Sequence, residues 1–357
     1  MKAILEAKDS KYVIIKKIGN GGTCTVFKGF SLLDKSKKLY AIKIFKENAK
    51  KFFDKEILIN KYLPPEYFIP IYEYGSGYIK CEASNEGNIF DTNDFSRYNG
   101  KIYYEVEELA ENGELFNYIY ETKCGFPEEI SAKIFSKLIR SVKVMHDNRV
   151  VHCDIKPENV IVGNDFSIKL IDFGFSEILG KDNFIYEYRG SGLYASPEIR
   201  NKNMDGYDGV KSDIFSLGVL LFVITVARFP FEIPGYCDRK YRLIMTKKFD
   251  DFWCYFQKYN LSNELKDLLN HLLCYDPSER FSIEEILEHP WIKMNTNDNN
   301  DLYNNNMSKN ENIIINGPND DDEIAKELRK RKEIIDSKTN QIFSNCKFFF
   351  TFFIFFF

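Results

Sequence analysis

Asp154, Lys156, Asn159 and Asp172 fall in two short segments, VHCDIKPENVIV at 151–162 and LIDFGFSE at 170–177. Two acids, an ammonium and a carboxamide can hold cations, orient a hydroxyl and surround one phosphoryl group. Transfer of such a group asks little covalent chemistry of a protein. It needs positioning and charge neutralisation. Both segments, in this order, are too specific for a chance polar loop.

Two weaker signals precede them. In IGNGGTCTV (18–26), Gly19 and Gly21 between two strands let backbone amides approach a polyphosphate without side-chain obstruction. Alone, a glycine-rich hairpin is usually a turn, and Cys24 stands where a third glycine is expected. In Tyr40-Ala41-Ile42-Lys43 a strand lysine can reach phosphate oxygens while Ala41 leaves room for a flat base. Alone, it is a surface lysine on an edge strand. Its place after the hairpin favours the phosphate reading.

The elements that must position these groups follow from pattern. YVIIKKI (12–18), TVFKGF (25–30) and LYAIKIF (39–45) predict an antiparallel three-strand meander. Residues 50–63 predict a helix closed by Pro64-Pro65. Gly75 to Gly100 reads as an extended loop between two strands. From Pro127 to Ile292 the apolar spacing is mostly helical. The apolar run from Ile214 to Ala227 is shorter than a bilayer requires and predicts a buried core helix.

Composition sets the frame. With 44% apolar and 29% charged residues, the 357-residue chain is built like a soluble globular protein. Its net charge of −4 gives no general attraction to nucleic acid or membranes. The cysteines at 24, 81, 124, 153, 237, 254, 274 and 346 include no C-x-x-C pair. They read as free thiols, which fits a cytoplasmic or nuclear protein. MKAILEAKDSKY meets charge too early for a signal peptide. Residues 295–323 are dominated by Asn and Asp and predict disorder. A charged helix-like stretch, DDEIAKELRKRKEII, follows, reading as a solvated helix or a basic amphipathic partner helix. The closing FFFTFFIFFF is too short to span a membrane. An interfacial membrane contact and an origin outside the true reading frame both stay open for it. There is no EF-hand loop.

With these motifs in order, residues 12–292 resemble the eukaryotic protein kinase superfamily, serine/threonine type. The resemblance rests on the glycine-rich loop, the AIK lysine, HCDIKPEN, DFG, GSGLYASPE (190–198), SDIFSLGVLLF (212–222) and DPSERFS (276–282). HPWI at 289–292 is similar to the close of the domain in the calcium/calmodulin-dependent kinase group. The resemblance implies an α+β, bilobal fold: a small lobe (12–108) with a five-stranded antiparallel sheet and one helix, and a larger, mainly helical lobe (109–292). Residues 1–11 would be an extension, and 293–357 a low-complexity tail with a short charged helix.

The resemblance further implies Mg²⁺ and ATP as cofactors and protein substrates, with no nucleic-acid partner. Lys43 would hold the α- and β-phosphates and pair with Glu56. Asp154 would orient the substrate hydroxyl and take its proton, Lys156 would steady the γ-phosphate, and Asn159 and Asp172 would bind the metal. Val26, Ala41 and Ile161 would sandwich the adenine, with Ile18, Gly19, Gly21, Glu108 and Glu114 completing the nucleotide site. Glu198 would pair with Arg280, and Asp213 would tie the core helix to the catalytic loop. Lys156 and Ser191 follow the serine/threonine pattern. Glu114 and Glu158 match positions that contact arginines N-terminal to the target residue in basophilic members.

The chain departs from the family at several points. Cys153 replaces the arginine that pairs with an activation-segment phosphate. Between Glu177 and Gly190 there is no serine or threonine; only Tyr186 and Tyr188 carry hydroxyls. Lys43 and Glu56 are unusually close in sequence. Asn60 stands where an apolar residue would stack on Phe173. Counting back from GELF (113–116), Glu107 falls behind the adenine. A carboxylate buried there must find a partner or a proton, and could compete with Glu56 for Lys43. A one-residue shift in register would place it elsewhere. An alternative reading is a pseudokinase, the same fold used as a binding scaffold.

Overall fold

The computed structural model describes residues 2–82, 95, 98, 100–200, 206–296 and 320–354. The expected loop at Gly75–Gly100 falls partly outside these residues, as do most of the Asn/Asp-rich stretch and the last three phenylalanines. The chain forms two compact units, one of Met1–Glu111, Val144–Cys153 and Lys169–Asp182, the other of Asn112–Lys143, Asp154–Ile168 and Asn183–Phe357. The division differs from a simple cut at residue 108, because two later segments return to the first unit.

In the first unit, six strands close a barrel: β1 (Lys2–Glu6), β2 (Lys11–Asn20), β3 (Cys24–Ser31), β4 (Leu39–Phe45), β5 (Ile71–Glu82) and β6 (Ile102–Glu108), in the order β1-β2-β3-β4-β6-β5. The meander appears as expected. Two expectations are corrected. Residues 2–6 belong to the sheet, pairing antiparallel with both β2 and β5. The supposed loop from Gly75 continues as strand to Glu82. That longer β5 reaches β1, so the sheet has six strands and no free edge there, where five were expected. Gly77 permits the approach: a Cβ there would collide with the Glu6 carbonyl oxygen.

Strand alternation divides the residues between faces. Leu5, Ile14, Phe27, Ile42, Ile44, Tyr104 and Val106 fill the inside, with Phe95 stacked on Phe27 at 5.4 Å and Tyr98 donating to Thr25 Oγ1 at 2.7 Å. The intervening residues of β3, β4 and β6 therefore point outward. Helix α1 (Lys50–Tyr62) buries Phe53, Glu56, Ile57 and Ile59. It ends where Pro64 holds Leu63 extended.

The second unit is mainly helical. It contains α2 (Leu115–Tyr120), most of α3 (Glu128–Asp147) and a core helix, Gly209–Val226, capped by Asp208 accepting from the Lys211 amide. Nearly every residue of that helix is buried, as expected from its nearly apolar run. It is long and apolar enough to cross a membrane, but 89% of it lies inside the protein. A bidentate pair between Glu198 and Arg280, at 2.6 and 2.7 Å, ties its segments together. The tail is also corrected. The short charged helix is a helix of 35 residues, Asp320–Ile354, and part of it packs on this unit, burying Ile324, Ala325, Leu328 and Arg331.

Candidate active site

In the first unit, register builds the site. Lys43 lies opposite Val26 on β3 and opposite Glu105 on β6, and Ala41 lies opposite Glu107. Directly opposed residues share a face, and so do residues two apart. Val26, Ala41, Lys43, Glu105 and Glu107 therefore occupy one outer face. The link from β4 to α1 is a single turn, Glu47–Ala49, so Glu56 comes back over Lys43 after only 13 residues. Lys43 Nζ lies 2.5 Å from Glu56 and 3.1 Å from Glu107. Glu107 thus adds itself to the Lys43–Glu56 pair without replacing it.

Glu105 is fully buried, with its carboxyl group beside that of Glu107. One of its carboxylate oxygens lies within 4.8 Å of one each from Glu56 and Glu107. Burial alone would lower the Lys43 pKa, but Glu107, Glu56 and Glu105 together lift it well above its ordinary value. Burial raises Glu56 to about 7 against the pull of Lys43. Burial, then Glu56, pushes Glu105 well up. The cluster keeps its lysine charged and favours the protonated form of Glu105.

Glu105 was not among the sequence candidates. The signal was the run Glu105-Val106-Glu107, whose alternation puts both acids on one face and Val106 in the core.

Asp172 sits in the left-handed region with φ +69 and accepts from the Gly174 amide at 3.1 Å. Phe173 is buried and meets Phe68 edge-on at 5.4 Å. The apolar neighbour expected at Asn60 is thus supplied from beyond α1, by Phe68. In the hairpin, a Cβ on Gly19 or Gly21 would meet only ordinary contacts at 3.5–3.6 Å. Packing does not demand glycine at either position. Ile18 is largely exposed, Ala41 buried, and Glu108 half-buried opposite Tyr40.

In the second unit the catalytic-loop residues form one knot. Lys156 Nζ donates to Asp154 Oδ2 at 2.7 Å and to Ser191 Oγ at 2.9 Å. Asn159 Nδ2 donates to the Asp154 carbonyl at 2.8 Å and to Oδ2 at 2.9 Å. Asp154 is only 3% exposed, so its carboxylate is held in one orientation by two donors. Glu114 forms an isolated antiparallel bridge with Ile161. Burial, then the neighbouring Glu158, raises the Glu114 pKa, opposed by Lys156. Asp213 is buried on the core helix. The candidate residues thus gather as two sets: Ile18, Gly19, Gly21, Val26, Ala41, Lys43, Glu56, Glu108 and Asp172 on the first unit, and Glu114, Asp154, Lys156, Asn159 and Ile161 on the second.

Comparison with known proteins shows which family the chain resembles. Residues 12–292 match the protein kinase domain. A probable serine/threonine-protein kinase of Dictyostelium discoideum is 32% identical over 286 residues, 80% of this chain and 31% of the relative. The probable serine/threonine-protein kinase MARK-B of the same organism is 30% identical over 288 residues, 80% of this chain and 36% of the relative. CBL-interacting protein kinase 11 of rice, Oryza sativa subsp. japonica, is 37% identical over 198 residues, 54% of this chain and 37% of the relative. The matched stretch is thus only about a third of the length of each of these relatives.

Proposed function

The chain belongs to the protein kinase domain family, and on that premise we propose that it transfers the γ-phosphoryl group of ATP to serine and threonine hydroxyls of proteins. One observation carries this reading furthest: Lys156 bridges Asp154 and the Ser191 hydroxyl at 2.7 and 2.9 Å. Asp154 is thereby aimed, and a hydroxyl amino acid stands beside it on the segment GSGLYASPE.

Family membership implies ATP and a divalent cation. Bound Mg²⁺-ATP would supply the transferable group and a hard cation to neutralise it. The residues present suit both. Asn159 and Asp172 offer the oxygen donors that Mg²⁺ prefers, and the hairpin glycines leave room for phosphates. Asp154 orients the substrate hydroxyl and takes up its proton. Lys43 on the first unit and Lys156 on the second would each offer positive charge to a phosphate. Glu114 and Glu158, electrostatically coupled acids, support a preference for basic residues N-terminal to the target, since a guanidinium pairs bidentately with carboxylates. A cytoplasmic or nuclear location belongs to the same proposal, on cysteine spacing that includes no C-x-x-C pair.

A degenerate peptide library phosphorylated with Mg²⁺-ATP, with Asp172→Asn as control, tests the reading. Serine and threonine labelling lost in the control is expected. The hold of Glu107 on Lys43 favours a second reading, a scaffold without transfer. Labelling no greater for wild type than for Asp172→Asn would establish that one instead.

A further inference from the structure

The described part of the C-terminal helix makes a contact that the motifs do not foreshadow. Its apolar stripe, Ile324, Ala325 and Leu328, is buried, and Arg331 continues that stripe at 5% exposed. Arg331 Nη1 donates to the carbonyls of Cys124 at 2.7 Å and Tyr118 at 3.3 Å, and to Thr122 Oγ1 at 3.2 Å. Nη2 donates to the Gly125 carbonyl at 2.6 Å. The guanidinium lies 3.8 Å from the Phe126 ring centre, and Nε donates to Glu327 at 2.8 Å.

Tyr118, Thr122, Cys124 and Gly125 lie at and just beyond the C-terminus of α2. That short helix leaves its last carbonyls without intrahelical donors. A planar guanidinium with five N–H groups meets one of them, at Tyr118, together with the Cys124 and Gly125 carbonyls of the turn beyond, and complements the negative end of the helix dipole. Lys338 adds a bond to the Glu121 carbonyl at 2.6 Å. The cap of α2 thus comes from more than 200 residues away in sequence.

The contact extends to the start of α2. Lys332 Nζ bonds the Asn112 side-chain oxygen, Asn112 Nδ2 donates to the Gly163 carbonyl at 2.6 Å, and the Tyr118 hydroxyl donates to the Asn112 carbonyl at 3.0 Å. Between Asn112 and Tyr118 lies Glu114, the residue immediately before α2. Held at both ends, the backbone that carries Glu114 has little freedom.

We propose that Arg331, with Lys332, is a positioning residue: the C-terminal helix fixes the segment 112–126 so that Glu114 stands ready for a basic side chain of the substrate. The part of the proposal concerning Glu114 rests on the proposed kinase function; the ordering of 112–126 does not. Peptide affinity should therefore depend on a residue far outside the family motifs, while the knot at Asp154 does not.

The test uses the full chain carrying Arg331→Met, Arg331→Lys or Lys332→Met. Amide hydrogen exchange over 112–126 reports the ordering, and fluorescence anisotropy of a labelled arginine-containing peptide reports binding without requiring turnover. Arg331→Met should speed exchange in this segment and weaken peptide binding about tenfold. Lys332→Met should do the same to a lesser degree, and Arg331→Lys should restore part of the binding. kcat at saturating peptide should stay within about twofold. Unchanged exchange over 112–126 in both methionine variants would overturn the proposal. So would faster exchange with unchanged peptide affinity, which would leave the helix a purely structural part. A chain without kinase activity would refute the proposed function and leave exchange and anisotropy readable.

Discussion

Lys43 Nζ lies 3.1 Å from a carboxylate oxygen of Glu107, on the outer face of the sheet that also carries Ala41 and Val26. The ammonium expected to meet phosphate is therefore shared between this acid and Glu56. Both pairs are buried, where removing one partner of a charge pair commonly costs several kcal/mol. Here Lys43 has a second partner, so losing Glu107 does not strand it.

Glu107→Met should accordingly raise nucleotide affinity, by about tenfold, or 1.4 kcal/mol. It removes a carboxylate that competes with phosphate for Lys43 and repels it, while the Glu56 pair remains. Titration with a fluorescent ATP analogue measures this. Weaker binding would show that Glu107 orients Lys43 instead of competing for it.

Asp154→Asn should lower kcat by about 10²–10⁴-fold, the range typical of a lost general base. The asparagine oxygen can still accept from Lys156 and Asn159, so the melting temperature should change little. Retention of most wild-type turnover in this variant would remove Asp154 from its assigned role.

The buried acids set a pH dependence. Burial holds the Glu105 pKa well above its ordinary 4.5 in the folded chain. Well below that value both states are protonated, and glutamate resembles glutamine. As pH rises, the unfolded chain loses the proton first, so the folded wild type loses stability that Glu105→Gln keeps. The melting temperature of Glu105→Gln relative to wild type should therefore rise as pH climbs above the ordinary carboxylate range. A pH-independent difference would mean that Glu105 ionises normally in the folded chain.

Phosphatase treatment should leave activity nearly unchanged. Cys153, buried with φ +63, offers no guanidinium to a phosphate, and the stretch from Glu177 to Gly190 carries only the hydroxyls of Tyr186 and Tyr188. An added phosphate orders a loop chiefly through arginine pairs. Both tyrosines are exposed, at 68% and 61%, so they supply the opposing outcome. A large loss after phosphatase, reproduced by Tyr186→Phe or Tyr188→Phe, would make tyrosine phosphorylation the switch.

The sequence by itself determined what is local. Asp154, Lys156 and Asn159 bond to one another because they lie within five residues, so their spacing nearly defines their geometry. The three-strand meander, α1 and the buried core helix were equally legible, since each is encoded by alternation, helical spacing or an apolar run within one segment. The tertiary structure decided what depends on distant register. Only pairing of β6 with β4 brings Glu105 opposite Lys43, and only the full length of β5 lets residues 2–6 close the barrel. Phe68 meets Phe173 edge-on, a contact between residues more than a hundred positions apart. Arg331 caps a helix 213 residues before it. A one-residue change of register reverses the face of every side chain in a strand. A charged helix such as 320–339 reads alike in water or on a surface until the buried stripe beneath it is known. Such pairings are selected by the packing of the whole fold and leave only faint marks in the segments they join.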